Sequence, residues 1–184
     1  MARVFRQQID EGILNRAAGL FARHGFTQTS VQAVADAVGM SKAGLLHYFP
    51  SKDALREAVV ARAQALEQEV FDQVAEVPLG PRRDRLALEV LVDQALAHPG
   101  LVAFSLSFTA ALEPDALAVG PDSINSKVFE AFGAYADADP ERIIRVLGAL
   151  AALSVLVLVA HQAGKSTAWR AHVIATSFDA LGHR

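Results

Sequence analysis

The stretch from residue 41 to residue 52 gathers hydroxyl, basic and imidazole side chains around a short helical segment. Ser41 and Lys42 open this segment, and Gly44 leaves its backbone uncovered. Backbone N–H groups and cations at the start of a helix attract phosphates, and polar side chains there can reach base edges. The chemistry that these residues favour is noncovalent recognition of a nucleic acid, and the candidates are Ser41, Lys42, Ala43, Gly44, His47, Tyr48 and Lys52.

A short helix directly before this stretch is predicted to position it. Valines recur at helical spacing between residues 31 and 38, so one face of the helix is apolar. Thr29 or Ser30 can cap its first turn through a hydroxyl oxygen. Gln32 either pairs with adenine or completes a capping box with Thr29. The helix therefore adds Thr29, Ser30 and Gln32 to the candidate DNA contacts.

A tight turn is predicted between this helix and the next. Gly39 can adopt the left-handed conformation that ends a helix, and Ser41 can cap the helix that follows. The second helix is expected from about Lys42 to Phe49, with Pro50 stopping it. Two helices joined in this way form a helix-turn-helix, whose second helix enters the major groove of DNA.

An ordered series of motifs runs through the first third of the chain: Thr29-Ser30-Val31, Val34-Ala35, Val38-Gly39-Met40-Ser41-Lys42, and Leu45 through Phe49-Pro50-Ser51-Lys52-Asp53-Ala54-Leu55. The series resembles the DNA-binding region of TetR-type transcriptional repressors. Many members of that family carry a Thr and a Tyr, which often touch DNA, where this chain has Gly44 and Leu46.

The resemblance implies an all-α protein of about nine helices. A helix-turn-helix DNA-binding domain is expected at residues 1–50, and a helical effector-binding and dimerisation domain at residues 51–184. The implied activity is that of a repressor released from a palindromic operator by a small-molecule effector. The alternatives are a helical enzyme or carrier that keeps a three-helix head without DNA binding, and a membrane-associated protein.

Composition and charge are compatible with this interpretation. Residues 1–56 contain seven Lys or Arg against four Asp or Glu, a net charge of +3, and the remainder contains ten against sixteen. The chain has no cysteine, which excludes disulfides and thiolate metal sites. Arg6, Asp10 and Glu11 interrupt the apolar core that a signal peptide needs, so a cytoplasmic location is expected. No enzyme motif is present, and neither an enzymatic activity nor a cofactor is predicted.

Helical periodicity continues through the remaining two-thirds of the chain. A long helix is expected from Ser51 into residues 68–75, linking the two domains. Proline and glycine at residues 78–81 end it. Further helices are expected from Pro81 to about residue 98, over residues 101–112, after residues 121–122, from Asp139-Pro140 onward, and from Thr167 to about Leu181.

Residues 146–164 form an uncharged run of 19 residues, long enough to be weighed as a membrane span. His161 and Gln162 within the run favour a buried helix instead, so no membrane association is predicted. A helix that is apolar all round must be covered on every side, and a second copy can supply one side. Dimerisation through the last two helices is also what the family resemblance implies. The expected homodimer contacts are Leu150, Leu153, Val157, Trp169, Val173 and Phe178.

Aromatic residues are frequent in the same part of the chain and favour a pocket for an apolar or aromatic effector. The alternative for each of them is ordinary core packing. The candidates for the pocket are Phe104, Phe108, Phe129, Phe132, Tyr135 and His161. His161, His172 and His183 recur every eleven residues, but no carboxylate spacing completes a metal site, so no metal is predicted.

Overall fold

A computed structural model describes residues 2–110, 126–135 and 138–183, with side chains described for residues 9–107 and for the two later ranges. Every regular element in these ranges is an α-helix, which confirms the predicted fold class. The nine helices in the described part are α1 (Ala2–His24), α2 (Val31–Ala37), α3 (Lys42–Tyr48), α4 (Lys52–Val74), α5 (Pro81–Ala97), α6 (Pro99–Ala110), α7 (Ser126–Ala131), α8 (Pro140–Gln162) and α9 (Ser166–Ala180).

Hydroxyl caps fix the starts of three consecutive helices. The Oγ atoms of Ser30, Ser41 and Ser51 each accept a hydrogen bond of 3.0 Å from the backbone N–H three residues later. Gly39 has a φ of +70°, which lets the chain turn between α2 and α3. Helix α3 ends at Tyr48, one residue before the predicted end, because Phe49 is already extended.

Two apolar cores divide the molecule, and α4 contributes to both. The first core joins α1, α2 and α3 to the first half of α4 and to the start of α6. The second core joins the end of α4 to α5, α7, α8 and α9. Leu55 and Val59 of α4 belong to the first core, whereas Val70 and Val74 belong to the second. Helix α4 therefore connects the helix-turn-helix head to the body.

A second connection between head and body is made where α5 and α6 meet at an angle of 109°. The Asn15 Oδ1 atom of α1 accepts hydrogen bonds from the backbone N–H groups of Gly100, at 2.8 Å, and of Leu101, at 3.2 Å. These bonds satisfy donors that the first turn of α6 leaves free. A Cβ atom on residue 100 would lie 1.9 Å from the Asn15 backbone oxygen, so only glycine allows this approach.

A buried carboxylate anchors the start of α8 in the body. Asp84 of α5 is 1% exposed, and its two oxygens lie 2.7 Å from Arg142 Nη2 and 2.6 Å from His183 Nε2. Arg142 also donates to the Phe132 backbone oxygen, just after α7. The cluster joins α5, α8 and the segments that follow α7 and α9.

Helix α8 is long and apolar enough to cross a membrane by length and composition. The core helix of a globular domain passes the same test, but only 28% of the most apolar window of α8 is buried inside the subunit. Val146, Ala149, Leu153 and Val157 of α8 are buried against the body. The uncharged run therefore lies in a helix that contributes to the second core.

Candidate functional site

The surface of α3 is the first part of the candidate site. Leu45 is buried at 1% exposure and holds the helix on the head core, while Lys42, Ala43 and His47 are exposed. The His47 ring meets the half-buried Tyr48 ring edge-on, with centroids 6.0 Å apart. This surface offers a cation, an imidazole and a phenol, groups that hydrogen-bond phosphates and bases.

Three of the residues predicted to contact DNA use their hydroxyl groups to bind nearby backbone. The Ser30 and Ser41 hydroxyls cap α2 and α3, as predicted from sequence. Thr29 is only 3% exposed, and its hydroxyl donates to the Gly25 backbone oxygen at 2.8 Å. The cap of α2 is therefore Ser30 and not Thr29. Contact of these three residues with DNA stays a prediction.

Gln32 is exposed, and its amide donates to Asp36 Oδ1 at 2.7 Å, one turn later in α2. The alternative that Gln32 completes a capping box with Thr29 is wrong, because the amide points to the C-terminal side. The second N–H and the oxygen of this amide remain available for a base, so the contact between Gln32 and DNA stays a prediction.

Lys52 has partners within the head. Its Nζ atom donates to the backbone oxygens of Phe26, at 3.0 Å, and Thr27, at 3.4 Å, and lies 4.4 Å from the centre of the Phe26 ring. These carbonyl groups and the ring stabilise a cation at the start of α4, where the helix dipole disfavours it. The residue thus ties α4 to the segment after α1, and its predicted phosphate contact stays untested.

The structure gives a second explanation for glycine at position 44, beside the predicted approach of its backbone to DNA. A Cβ atom at this position would lie 3.2 Å from Ser41 Oγ, the atom that accepts the Gly44 N–H. Glycine therefore relieves crowding at the cap of α3. The same lack of a side chain leaves the backbone open to a close approach.

The second part of the site is a cavity of about 130 Å³ lined by residues of α4, α5, α6, α7 and α8. Among the predicted pocket residues whose side chains are described, Phe129 alone lines it. Phe104 and Phe132 are buried in the two cores instead, and Tyr135 and His161 are exposed and do not line the cavity. The side chain of Phe108 lies outside the described residues. Core packing, the alternative considered for each aromatic residue, explains Phe104 and Phe132.

Polar residues that the sequence did not single out line the same cavity. Glu67 of α4 is 7% exposed, and it is joined by Gln94, His98, Ser105 and Ser154. The signal that could have found the site is the position of Glu67 beside Leu66 and three residues before Val70, on the apolar stripe of α4. Carboxylates are seldom fully buried, so one at such a position indicates a polar site inside the fold.

His98 is a titratable residue in the wall of the cavity. Burial lowers the pKa of His98 from its ordinary value of 6.5, and the positive charge of Arg62 lowers this pKa further. The imidazole beside the cavity is therefore the neutral form near pH 7 and can accept a hydrogen bond.

This lowered pKa predicts that acid destabilises the fold. The unfolded chain binds the His98 proton more tightly than the folded chain does. The free energy of unfolding is therefore highest above pH 6.5, and it decreases as the pH falls from 6.5 towards the pKa of His98 in the folded chain. Urea unfolding at about pH 7.5 and about pH 5.5 measures the difference. A His98→Gln variant is expected to lose less stability over this interval than the parent. An equal loss in both proteins would contradict the assignment.

The third part is an apolar surface on α8 and α9. Ile144, Val155 and Val159 are 68%, 51% and 44% exposed, and Trp169 is 36% exposed. Three predicted interface residues, Leu153, Val157 and Val173, are already buried inside the subunit and leave little surface for a partner. Leu150, Trp169 and Phe178 keep some exposure. The exposed stripe of α8 lies on the face turned away from the core.

Residues 13–59 match the family described as bacterial regulatory proteins, tetR family. The HTH-type transcriptional regulator RutR of Escherichia coli (strain K12) is 44% identical over 50 residues, which are 27% of this chain and 24% of RutR. The HTH-type transcriptional repressor KstR2 of Rhodococcus jostii (strain RHA1) is 31% identical over 80 residues, or 44% of this chain and 38% of KstR2. The chain thus spans about a quarter of RutR's length in this match.

Solved structures resemble the chain over most of its length. The TetR family transcriptional regulator PfmR of Thermus thermophilus has a TM-score of 0.57 at 21% identity, covering 94% of this chain and 95% of PfmR. The fatty acid degradation regulator FadR of Bacillus halodurans has a TM-score of 0.53 at 17% identity, covering 96% of this chain and 97% of FadR. These likenesses extend the shared fold from the head to the helical body.

Proposed function

We propose that the chain is a ligand-responsive repressor of transcription of the TetR type, because residues 13–59 match the DNA-binding region of that family and RutR is similar over 50 residues. The observation that carries the proposal is the capped helix-turn-helix, whose α3 is held by Leu45 while Lys42 and His47 remain exposed. In this arrangement α3 enters the major groove and side chains of α2 and α4 flank it. The relatives are transcriptional regulators, which are not enzymes.

The proposal includes a homodimer built on α8 and α9. A dimer places two α3 helices in successive major grooves about 34–36 Å apart, which matches a palindromic operator. The exposed stripe of α8 supports a second copy as its cover, since Val155 and Val159 lie on it and residues 146–164 carry no formal charge. The small exposed residues Gly148 and Ala151 precede these side chains on α8 and permit close helix contact.

The proposed effector site is the cavity between α4 and the later helices. His98 and Leu101 line it at the corner where α5 meets α6, and the same corner is bound to Asn15 of α1. A ligand that shifts this corner therefore acts on the head through α6 and α1. A coupling of about 1–3 kcal/mol between the two sites is enough for a useful switch.

Selection of bound duplexes from a random DNA pool tests the proposed function. The expected product is an inverted repeat whose half-sites are one helical turn apart, since that pattern reports specificity, symmetry and spacing together. Recovery of unrelated sequences, or of single half-sites, would contradict the proposal.

The charge of Lys42 is expected to contribute to DNA affinity. A Lys42→Ala variant should bind the selected operator more weakly, and the slope of log affinity against log salt should become shallower by about one unit. Lys165→Ala is the matched control, because Lys165 is an exposed lysine in the turn between α8 and α9. An unchanged slope for Lys42→Ala would remove this residue from the phosphate contacts.

A negative charge on the exposed stripe of α8 is expected to prevent dimerisation. Val155→Asp places a carboxylate at the apolar surface, where burial without a partner is unfavourable. Sedimentation equilibrium should report monomers, and operator binding should weaken because two half-sites are no longer held together. Ala65→Asp, at an exposed position on α4, is the control and should remain dimeric. A dimeric Val155→Asp protein would place the interface elsewhere.

A further inference from the structure

The cavity has an imidazole in its wall that no described residue hydrogen-bonds. His98 lies at the corner where α5 meets α6 and lines the cavity. Its backbone N–H donates to the Gln94 backbone oxygen, and its backbone oxygen accepts from the Val102 N–H. The ring is affected by burial and by the charges of nearby side chains, but it neither donates to nor accepts from a described residue. Buried polar groups normally have a hydrogen-bond partner, so this half-buried ring is available to a ligand.

The free polar groups of the cavity suit a hydroxyl group on the ligand. Because burial lowers the pKa of His98, its ring is neutral near pH 7 and has one nitrogen that accepts a hydrogen bond. Ser154 of α8 also lines the cavity, and its hydroxyl has no hydrogen-bond partner among the described residues. An alcohol can donate to an imidazole and accept from a hydroxyl. Neither contact requires a charge on the ligand.

The acidic groups in and beside the cavity are already engaged, which disfavours a cationic ligand. Glu67, the lining carboxylate in the described part of the chain, has an interaction within the subunit. Behind the wall, the Arg62 guanidinium lies 3.0 Å from Glu69 Oε1 and 3.3 Å from Glu11 Oε1. Gln94 donates its amide to Glu69 Oε2 at 3.2 Å. An ammonium ion would have to displace one of these interactions, and a buried charge without a partner is unfavourable.

An anionic ligand would find no positive charge to balance it. The described lining residues include neither lysine nor arginine. Residues 108–125, which include the link between α6 and α7, contain neither residue type in the sequence. The Glu67 carboxylate would also repel an anion across the cavity. The cavity therefore selects against ligands of either charge.

Most of the remaining lining is hydrocarbon, and the size of the cavity limits the ligand. Leucine and phenylalanine side chains contribute to the wall from four helices, among them Leu66, Leu101, Phe129, Leu147 and Leu150. The volume of about 130 Å³ is close to that of an apolar protein cavity that accepts benzene, about 150 Å³. One ring or a short branched chain fills such a space.

We propose that the effector of this regulator is a compact uncharged hydroxyl compound, with its hydrocarbon part among the leucines and its hydroxyl group hydrogen-bonded to the His98 imidazole. The inference deepens the proposed function and rests on it for the word effector, whereas binding in the cavity is tested separately. His98 is then the residue that distinguishes a hydroxyl compound from a hydrocarbon of the same size.

Titration calorimetry tests the charge of the ligand on the full chain at about pH 7.5, where the His98 ring is neutral. Three probes of similar size are compared: benzyl alcohol, benzylamine and benzoate. Benzyl alcohol should bind at least about tenfold more tightly than either ion, because each ion loses its hydration without gaining an unengaged counter-charge. Binding of either ion as tight as that of benzyl alcohol, or no binding of benzyl alcohol, would overturn the inference.

His98→Phe tests the residue itself, since phenylalanine keeps a ring of similar size without its nitrogen atoms. The variant should bind benzyl alcohol about fivefold more weakly, the factor that corresponds to one neutral hydrogen bond, and should bind toluene as the parent does. His172→Phe, at an exposed position on α9, is the matched control and should bind both probes like the parent. Unchanged binding of benzyl alcohol by His98→Phe, or an equal loss for toluene, overturns the role of His98. The three probes on the unmodified protein decide the matter if the variant does not fold.

Operator binding in the same preparation separates the two proposals. Specific DNA binding without benzyl alcohol binding rejects the hydroxyl compound and leaves the regulator. Benzyl alcohol binding by a protein that selects no DNA sequence rejects the regulator and leaves the cavity specific for uncharged hydroxyl compounds. Release of operator DNA by benzyl alcohol, but not by benzylamine or benzoate, supports both.

Discussion

Replacing Gly100 with alanine should cost about 3 kcal/mol of unfolding free energy, the upper part of the range for overpacked sites. The added Cβ atom would lie 1.9 Å from the backbone oxygen of Asn15 and 2.9 Å from its carbonyl carbon. Because the obstacle is backbone, no change of side-chain conformation relieves it, and α6 must move away from α1. The two hydrogen bonds from α6 to Asn15 Oδ1 are lost in that movement.

Urea unfolding measures this cost, and Gly12→Ala is the matched control. Gly12 lies on α1, and a Cβ atom there would meet nothing within 4 Å, so alanine should stabilise the helix by up to about 1 kcal/mol. The Gly100 variant should also bind the selected operator more weakly, since its head is held less firmly. If the free energy of unfolding of the Gly100 variant lies within about 0.5 kcal/mol of the parent's, the close contact between Gly100 and Asn15 does not constrain the fold.

Replacing Asp84 with alanine should destabilise the body by about 3 kcal/mol, the lower end of the range for broken buried ion pairs. The lower end applies because the Arg142 side chain is 24% exposed and can recover some water. The variant leaves Arg142 with the Phe132 backbone oxygen and leaves His183 without its carboxylate partner. Both groups connect the body helices, so the loss should appear as a single cooperative shift in urea.

Asp93→Ala provides the comparison for this prediction. Asp93 also pairs with an arginine, Arg170, through two hydrogen bonds of 2.5 and 2.7 Å. The Arg170 partner lowers the pKa of Asp93, but both side chains are largely exposed and the pair is screened by water. Its removal should cost less than about 1 kcal/mol. If both variants lose the same free energy of unfolding, burial of Asp84 does not strengthen its ion pair.

Local chemistry made much of the head predictable from the sequence. The caps at Ser30 and Ser41 and the turn at Gly39 depend on residues within a few positions of each other, so their spacing alone indicates the turn. The start of α8 at Asp139-Pro140 is of the same kind. Such signals need no knowledge of the tertiary structure.

Contacts between distant residues explain what the sequence did not reveal. Asn15 and Gly100 are 85 positions apart, and neither residue type indicates its partner. Helix α8 is apolar on several faces, so periodicity does not distinguish Val157, which packs inside, from Val155, which faces outward. Phe104 and Phe132, predicted to line the cavity, are needed in the cores, and Glu67 acquires its meaning only when the cavity forms around it.

Ala151 is exposed on α8 between Gly148 and Val155, and it also belongs to the wall of the cavity. A second subunit seated on this face would cover the edge of the cavity at Ala151, which would narrow access for the proposed effector. Capture and escape would then be slower in the paired protein than in separated subunits. The residence time of a trapped molecule would lengthen as protein concentration rises, even if the contacts inside stay the same.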